Sequence, residues 1–151
     1  MVPACSDCNK AKQAIVADNA AAQTLHPYYD NFDDAVWLRA RVVEAVPPAV
    51  LFFVEGPAVW SEIKKQRITT HFTKFGLAEL YGTNAARELS GIAGGICELA
   101  DTVGQPEVQQ HLEIQRKSRE KAEINSWETA MYTALVESQW FCGGGYRAIR
   151  V

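Results

Sequence analysis

The sequence predicts an α+β chain, and three observations predict it. One stretch alternates in polarity with a period of two, the next is a short apolar run, and the remainder is punctuated as a series of helices. Trp37 to Val46 sets Leu38, Ala40 and Val42 on one face and Arg39 and Arg41 on the other, the pattern of a half-buried strand. Pro47-Pro48 breaks it. Ala49 to Glu55 is continuous in apolar residues and reads as a second strand. Together they form a β-hairpin with a proline-bearing loop, closed by Gly56-Pro57.

Four helices come after the hairpin. Trp60 to Lys74 carries Trp60, Ile63, Ile68, Phe72 and Phe75 on an apolar stripe, with Lys64, Lys65, Arg67, His71 and Lys74 opposite. Gly76 suits a C-cap. Leu77 to Tyr81 reads as a short turn, and Thr83 or Asn84 can cap a helix running to about Val103. Within it, Gly91, Gly94 and Gly95 each cost about 1 kcal/mol relative to alanine, so close packing or a break is expected there. Gly104 ends this helix and Pro106 opens the next. Glu107 to about Ile124 spaces opposite charges three or four apart, as on a solvated face. Ser126 caps the last helix, with Trp127, Met131 and Leu135 toward the core. Trp140-Phe141-Cys142 then turns inward. Gly143-Gly144-Gly145 releases the chain and lacks the strand, helix and lysine of a phosphate loop.

Before the hairpin the signals are shorter. Met1 to Cys5 resembles the tail of a strand, and Cys8 to about Gln13 a helical turn. Asp18 can cap a helix over Asn19 to Thr24, which His26-Pro27 ends. Asp30-Asn31-Phe32-Asp33-Asp34 is a polar turn.

Composition limits the function. At 151 residues and 48% hydrophobic, one compact unit with a real core is expected. A net charge of −3 argues against coating nucleic acid by bulk charge and leaves room for a local basic groove. No membrane-length apolar run or secretory signal layout is read, so the expected location is cytoplasmic. In that compartment Cys5 and Cys8 point to metal or redox chemistry rather than a structural disulfide. Three readings of the pair stand side by side: half of a zinc knuckle, a dithiol redox pair, or two packed cysteines. Cys97 and Cys142 sit among apolar residues and read as buried thiols.

The residues around the pair carry a resemblance. Val2-Pro3-Ala4-Cys5-x-x-Cys8-Asn9-x-x-Lys12, with Leu25-His26-Pro27-Tyr28-Tyr29-Asp30 after it, resembles the second half of the ββα-metal core of HNH endonucleases. The similarity extends to Trp60, to Arg67-Ile68-x-x-His71-Phe72-x-x-Phe75-Gly76-Leu77 and to Asn125-Ser126-Trp127-Glu128-Thr129-Ala130, which are like the helical region of bacterial members.

That resemblance implies metal-dependent hydrolysis of DNA phosphodiesters. It implies three segments within one compact unit: a remnant of the metal core over 1–34, a hairpin over 35–57 and a helical accessory part over 58–151. By the same likeness Cys5 and Cys8 are half of a structural zinc site, and Asn9 orients the catalytic loop. His26 falls where a metal- or phosphate-contacting residue could lie. Magnesium or another divalent cation would serve catalysis. The family's earlier Cys-x-x-Cys and its Asp-His segment, with the general base, have no counterpart here, so the chain is expected to be truncated and inactive alone. Cys97 or Cys142, or a second copy, could complete the zinc site. Lys10, Lys12, Lys64, Lys65, Arg67 and Lys74 are the candidate DNA contacts, with solvated helix faces as the alternative. Expected partners are DNA, a missing nuclease half, a second copy, or an ATPase subunit of a phage-defence system. The competing expectation is a non-catalytic helical adaptor derived from the same scaffold.

Overall fold

A computed structural model describes residues 19–25 and 30–149. Strand β1 (Leu38–Val43) pairs antiparallel with β2 (Ala49–Val54), in a register that sets Leu38 opposite Val54 and Val43 opposite Ala49. Period-two alternation decides the faces: Leu38, Val50 and Phe52 go into the core, while Arg39, Arg41 and Val43 stay out. The apolar run of β2 is not buried throughout. Leu51 and Phe53 remain 42% and 36% exposed, because among the described residues the helices pack on the other face of the hairpin.

Helix α1 (Glu62–Lys74) begins at Ser61, whose hydroxyl accepts from the Lys64 N–H at 3.2 Å. It buries Ile68 and Phe72; Ile63, predicted for the stripe, lies out at 54% exposure. Gly76 adopts φ 61°, ψ 34°, a left-handed conformation that ends α1 and lets α2 (Leu77–Thr102) start on the next residue. The expected turn over 77–81 and the cap at Thr83 or Asn84 are therefore absent. The helix runs straight through, on Leu77, Ala85, Leu89, Ala93 and Ile96.

Gly91, Gly94 and Gly95 neither break α2 nor admit a close neighbour. They lie on its exposed side, and a Cβ on any of them would meet nothing within 4 Å. Burial of the opposite face outweighs their low helix propensity.

Helix α3 (Gln105–Ala122), with Pro106 in its first turn, buries Val108 and Leu112. Ser126 caps α4 (Trp127–Glu137) as predicted, accepting from the Thr129 N–H at 3.1 Å. Helix α4 is the centre of the molecule: Met131, Tyr132 and Leu135 are 2% exposed or less. It packs on both β1 and α3, while α2 lies along β2. A short α5 (Gln139–Cys142) and a 3₁₀ turn (Gly145–Ala148) complete the core with Phe141 and Tyr146, edge to face at 6.2 Å. Gly145 is required there, since a Cβ would stand 2.5 Å from the Trp140 ring. Of the four tryptophans, Trp37 and Trp60 are buried, and Trp127 and Trp140 are partly covered.

At the amino side, the helix expected over 19–24 is a single 3₁₀ turn, Ala20–Ala22, capped by Asn19 rather than Asp18. Asp18 lies outside the described residues, as do the predicted strand tail and the turn after Cys8. Among the described residues no helix is long and apolar enough to cross a membrane.

Candidate functional site

Basic residues gather where α1 faces the segment before the hairpin. Helical spacing puts Lys64, Arg67, Thr70 and His71 along one side of α1. Each finds a partner in residues 21–34. Lys64 Nζ lies 3.1 Å from both carboxylate oxygens of Asp34, 3.8 Å over the Trp60 ring and 5.0 Å from the Phe32 ring. The Arg67 guanidinium grips Asp30 with two bonds of 2.8 and 2.5 Å and donates to the Thr24 carbonyl at 3.2 Å. Thr70 donates to the Ala21 carbonyl at 3.1 Å, and His71 Nδ1 accepts the Leu25 N–H at 3.3 Å. That acceptance leaves Nδ1 of His71 without a proton.

Lys65 turns to Glu62 at 2.9 Å. Lys74, half-buried at the end of the helix, makes no ion pair among the described residues. The predicted phosphate-contacting face is thus largely engaged within the chain. A cleft of about 280 Å³ remains at the amino end of α1, bordered by Asp30, Asn31, Phe32, Ser61, Lys64 and Arg67.

The segment is held at its other end by Asn125. This amide is 7% exposed and serves four main-chain groups. Oδ1 accepts from the N–H groups of Trp37 at 2.9 Å and Leu38 at 3.3 Å; Nδ2 donates to the carbonyls of Ala35 at 2.9 Å and Phe32 at 3.4 Å. Sequence reasoning assigns Asn125 no role of its own. Its one signal is its place just before the Ser126 cap, in a loop between two helices.

A second polar cluster ties α2, α3 and α4. Tyr132 donates to Glu88 at 2.8 Å, with the Arg119 guanidinium 3.8 Å from Glu88 and 4.0 Å from Glu128. Burial and the neighbouring Glu88 carboxylate push the Tyr132 phenol above the ordinary tyrosine range. This network ties the three helices together.

Cys5, Cys8, Asn9, Lys10, Lys12 and His26 lie outside the described residues. Cys97 and Cys142 are both free thiols, partly buried. Cys142 donates to the Leu135 carbonyl at 3.3 Å, and burial raises its thiol above the ordinary range. Among the described residues no group of three or more His, Cys, Asp or Glu side chains is placed to hold a metal ion. His111 is exposed on α3.

No family model matches the chain, and no solved structure does. Protein ea31 of Escherichia phage lambda is similar: 28% identical over 158 residues, an alignment covering 95% of this chain and 53% of that protein. The chain therefore spans about half the length of that curated relative.

Proposed function

We propose that the chain is the carboxy-terminal part of an HNH-type, metal-dependent DNA nuclease, and that α1 is the platform seating its metal-core segment. One observation carries this reading. Side chains on one face of α1 bond residues 21, 24, 25 and 30, on either side of His26 in the sequence. A helix that devotes Arg67, Thr70 and His71 to such a stretch is built to position it. The match to a phage protein of about twice the length is compatible with a portion working inside a larger nuclease.

Under this reading Cys5 and Cys8 supply two of the four thiolate or imidazole ligands of a structural zinc. Asn9 would orient the catalytic loop, and His26 is the candidate metal- or phosphate-contacting residue. Lys10, Lys12 and Lys74 are the cations left to approach the DNA backbone. A bound divalent cation would stabilise the leaving oxygen of phosphodiester cleavage. The general base comes from a missing nuclease half, so the 151-residue chain alone is inactive. An ATPase subunit is the further partner this reading expects.

The engagement of Lys64, Lys65 and Arg67 by acidic residues of the same chain favours a second reading, a non-catalytic adaptor that keeps the scaffold. Two measurements separate them. On the nuclease reading the purified chain carries zinc that the double variant Cys5→Ser/Cys8→Ser loses. Mg²⁺-dependent nicking of supercoiled plasmid then arises when a fragment bearing Cys-x-x-Cys and Asp-His is supplied, and falls in His26→Ala. Zinc content indifferent to both cysteines, with no nicking on complementation, leaves the adaptor.

A further inference from the structure

Among the described residues no strand pairs with the outer edge of β1, whereas the outer edge of β2 is covered. Glu55 N–H donates to the Trp37 carbonyl at 2.9 Å. Since bonding alternates along an antiparallel pair, Arg39, Arg41 and Val43 exchange bonds with β2. Leu38, Ala40 and Val42 then turn their main-chain groups away from it. On β2 the corresponding edge is covered by α2: a Cβ on Gly82 would lie only 3.8 Å from the Val50 carbonyl oxygen. On β1, Asn125 takes the Leu38 N–H. The outward groups of Ala40 and Val42 have no partner among the described residues.

A cleft of about 180 Å³ runs beside this edge. Leu38, Ala40, Ile124, Ala130 and Thr133 line it, and Arg116, tied to Glu113 and Glu120, closes one side. Above it, on the open face, stand Arg39 and Arg41. Among the described residues Arg39 pairs only with Glu55, at 4.0 Å with both side chains exposed, and Arg41 forms no ion pair.

We propose that the edge of β1 takes up an extended segment of another polypeptide, carrying acidic side chains at alternate positions and small aliphatic ones between. Added antiparallel, such a segment bonds the free groups of Ala40 and Val42. Its aliphatic side chains drop toward Ala130 and Thr133, and its carboxylates stand across from Arg39 and Arg41. A second copy of this chain fits worse. A two-fold pairing of β1 with itself centred on Arg39, Ala40 or Arg41 sets arginine against arginine.

The test uses the whole 151-residue chain and a ten-residue peptide of alternating glutamate and valine. Binding should slow amide exchange at Ala40 and Val42. N-methylation of the valines, whose N–H groups face β1, should abolish it, while N-methylation of the glutamates should leave it intact. The exposed double variant Arg39→Glu/Arg41→Glu should bind about tenfold more weakly, the worth of two cross-strand ion pairs, and should prefer a lysine–valine peptide. Absence of binding, equal binding of the lysine–valine peptide to the unaltered chain, or tolerance of valine N-methylation would overturn the proposal. So would slow exchange at Ala40 and Val42 without peptide: in a monomer the chain's own residues cover the edge, and in a concentration-dependent dimer a second copy does.

Discussion

Helix α1 carries Lys64, Lys65 and Arg67, and strand β1 carries Arg39 and Arg41, but the two sets of cations meet different surroundings. Around α1 the chain brings Asp34, Glu62 and Asp30 within 3.1 Å. Around β1 the one ion pair among the described residues is Arg39 with Glu55, at 4.0 Å. Lys64 and Arg67 fasten one segment to another, while Lys65 pairs within its own helix; Arg39 and Arg41 face outward beside main-chain groups that have no partner among the described residues. A basic face in a sequence becomes a surface for a partner only where the fold brings no acids to it.

Three changes probe this contrast. The largest effect belongs to Asn125, which holds the start of the open strand. Asn125→Ala strands two N–H groups and two carbonyls in a buried place, and should cost about 3 kcal/mol. Urea unfolding should show a lower midpoint with an unchanged slope. Asn125→Asp should not rescue it, because a carboxylate has no N–H to give Ala35 and Phe32. A loss below about 0.5 kcal/mol would mean that the clamp is dispensable.

Next comes Arg67, whose side chain and that of Asp30 are 19% and 15% exposed. Arg67→Ala should cost about 2 kcal/mol, since it removes a two-bond guanidinium partner from a partly buried carboxylate. Lysine at 67 should recover less than half, having one ammonium where the carboxylate meets a fork. The cost should persist at high salt. Lys65→Ala, which breaks a pair whose Glu62 side chain is 79% exposed, should stay within about 0.5 kcal/mol. Equal losses at 67 and 65 would erase the distinction between a fastening cation and a solvated one.

The smallest effect is a pH dependence beside the β1 cleft. The Arg116 hydrogen bond, with help from its charge and from Lys117, holds the Glu113 carboxyl down at about 2 from 4.5. The folded value is the lower one, so the contribution is whole above pH 4.5 and fades as the pH falls toward 2. Solvent screening keeps it to a few tenths of a kcal/mol. Glu113→Gln should therefore be slightly less stable than the parent at pH 7 and equal to it near pH 2. A gap that survives at pH 2 would assign the effect to packing.

Much of the fold is legible in the sequence for simple reasons. Alternation and Pro47-Pro48 define the hairpin, and Ser126 announces α4. The start of α2 is hidden because one left-handed residue, Gly76, joins two helices without a loop. The three α2 glycines mislead because composition does not say which face they occupy. The site is less legible. The basic stripe of α1 is plain, but its partners Asp30 and Asp34 sit 37 and 30 residues earlier, and nothing local announces the pairing. The expected core pair Cys5 and Cys8, with Asn9 and His26, stands as a matter of motif, outside the described residues. Asn125 escapes a sequence reading because an asparagine between helices is ordinary until its four contacts are seen.

That amide also has a consequence for biosynthesis. It reaches back 88 residues to the Trp37 N–H. The hairpin therefore leaves the ribosome without its latch, and only when the loop ahead of α4 clears the exit tunnel can Asn125 hold Trp37; until then the hairpin stays open to chaperones.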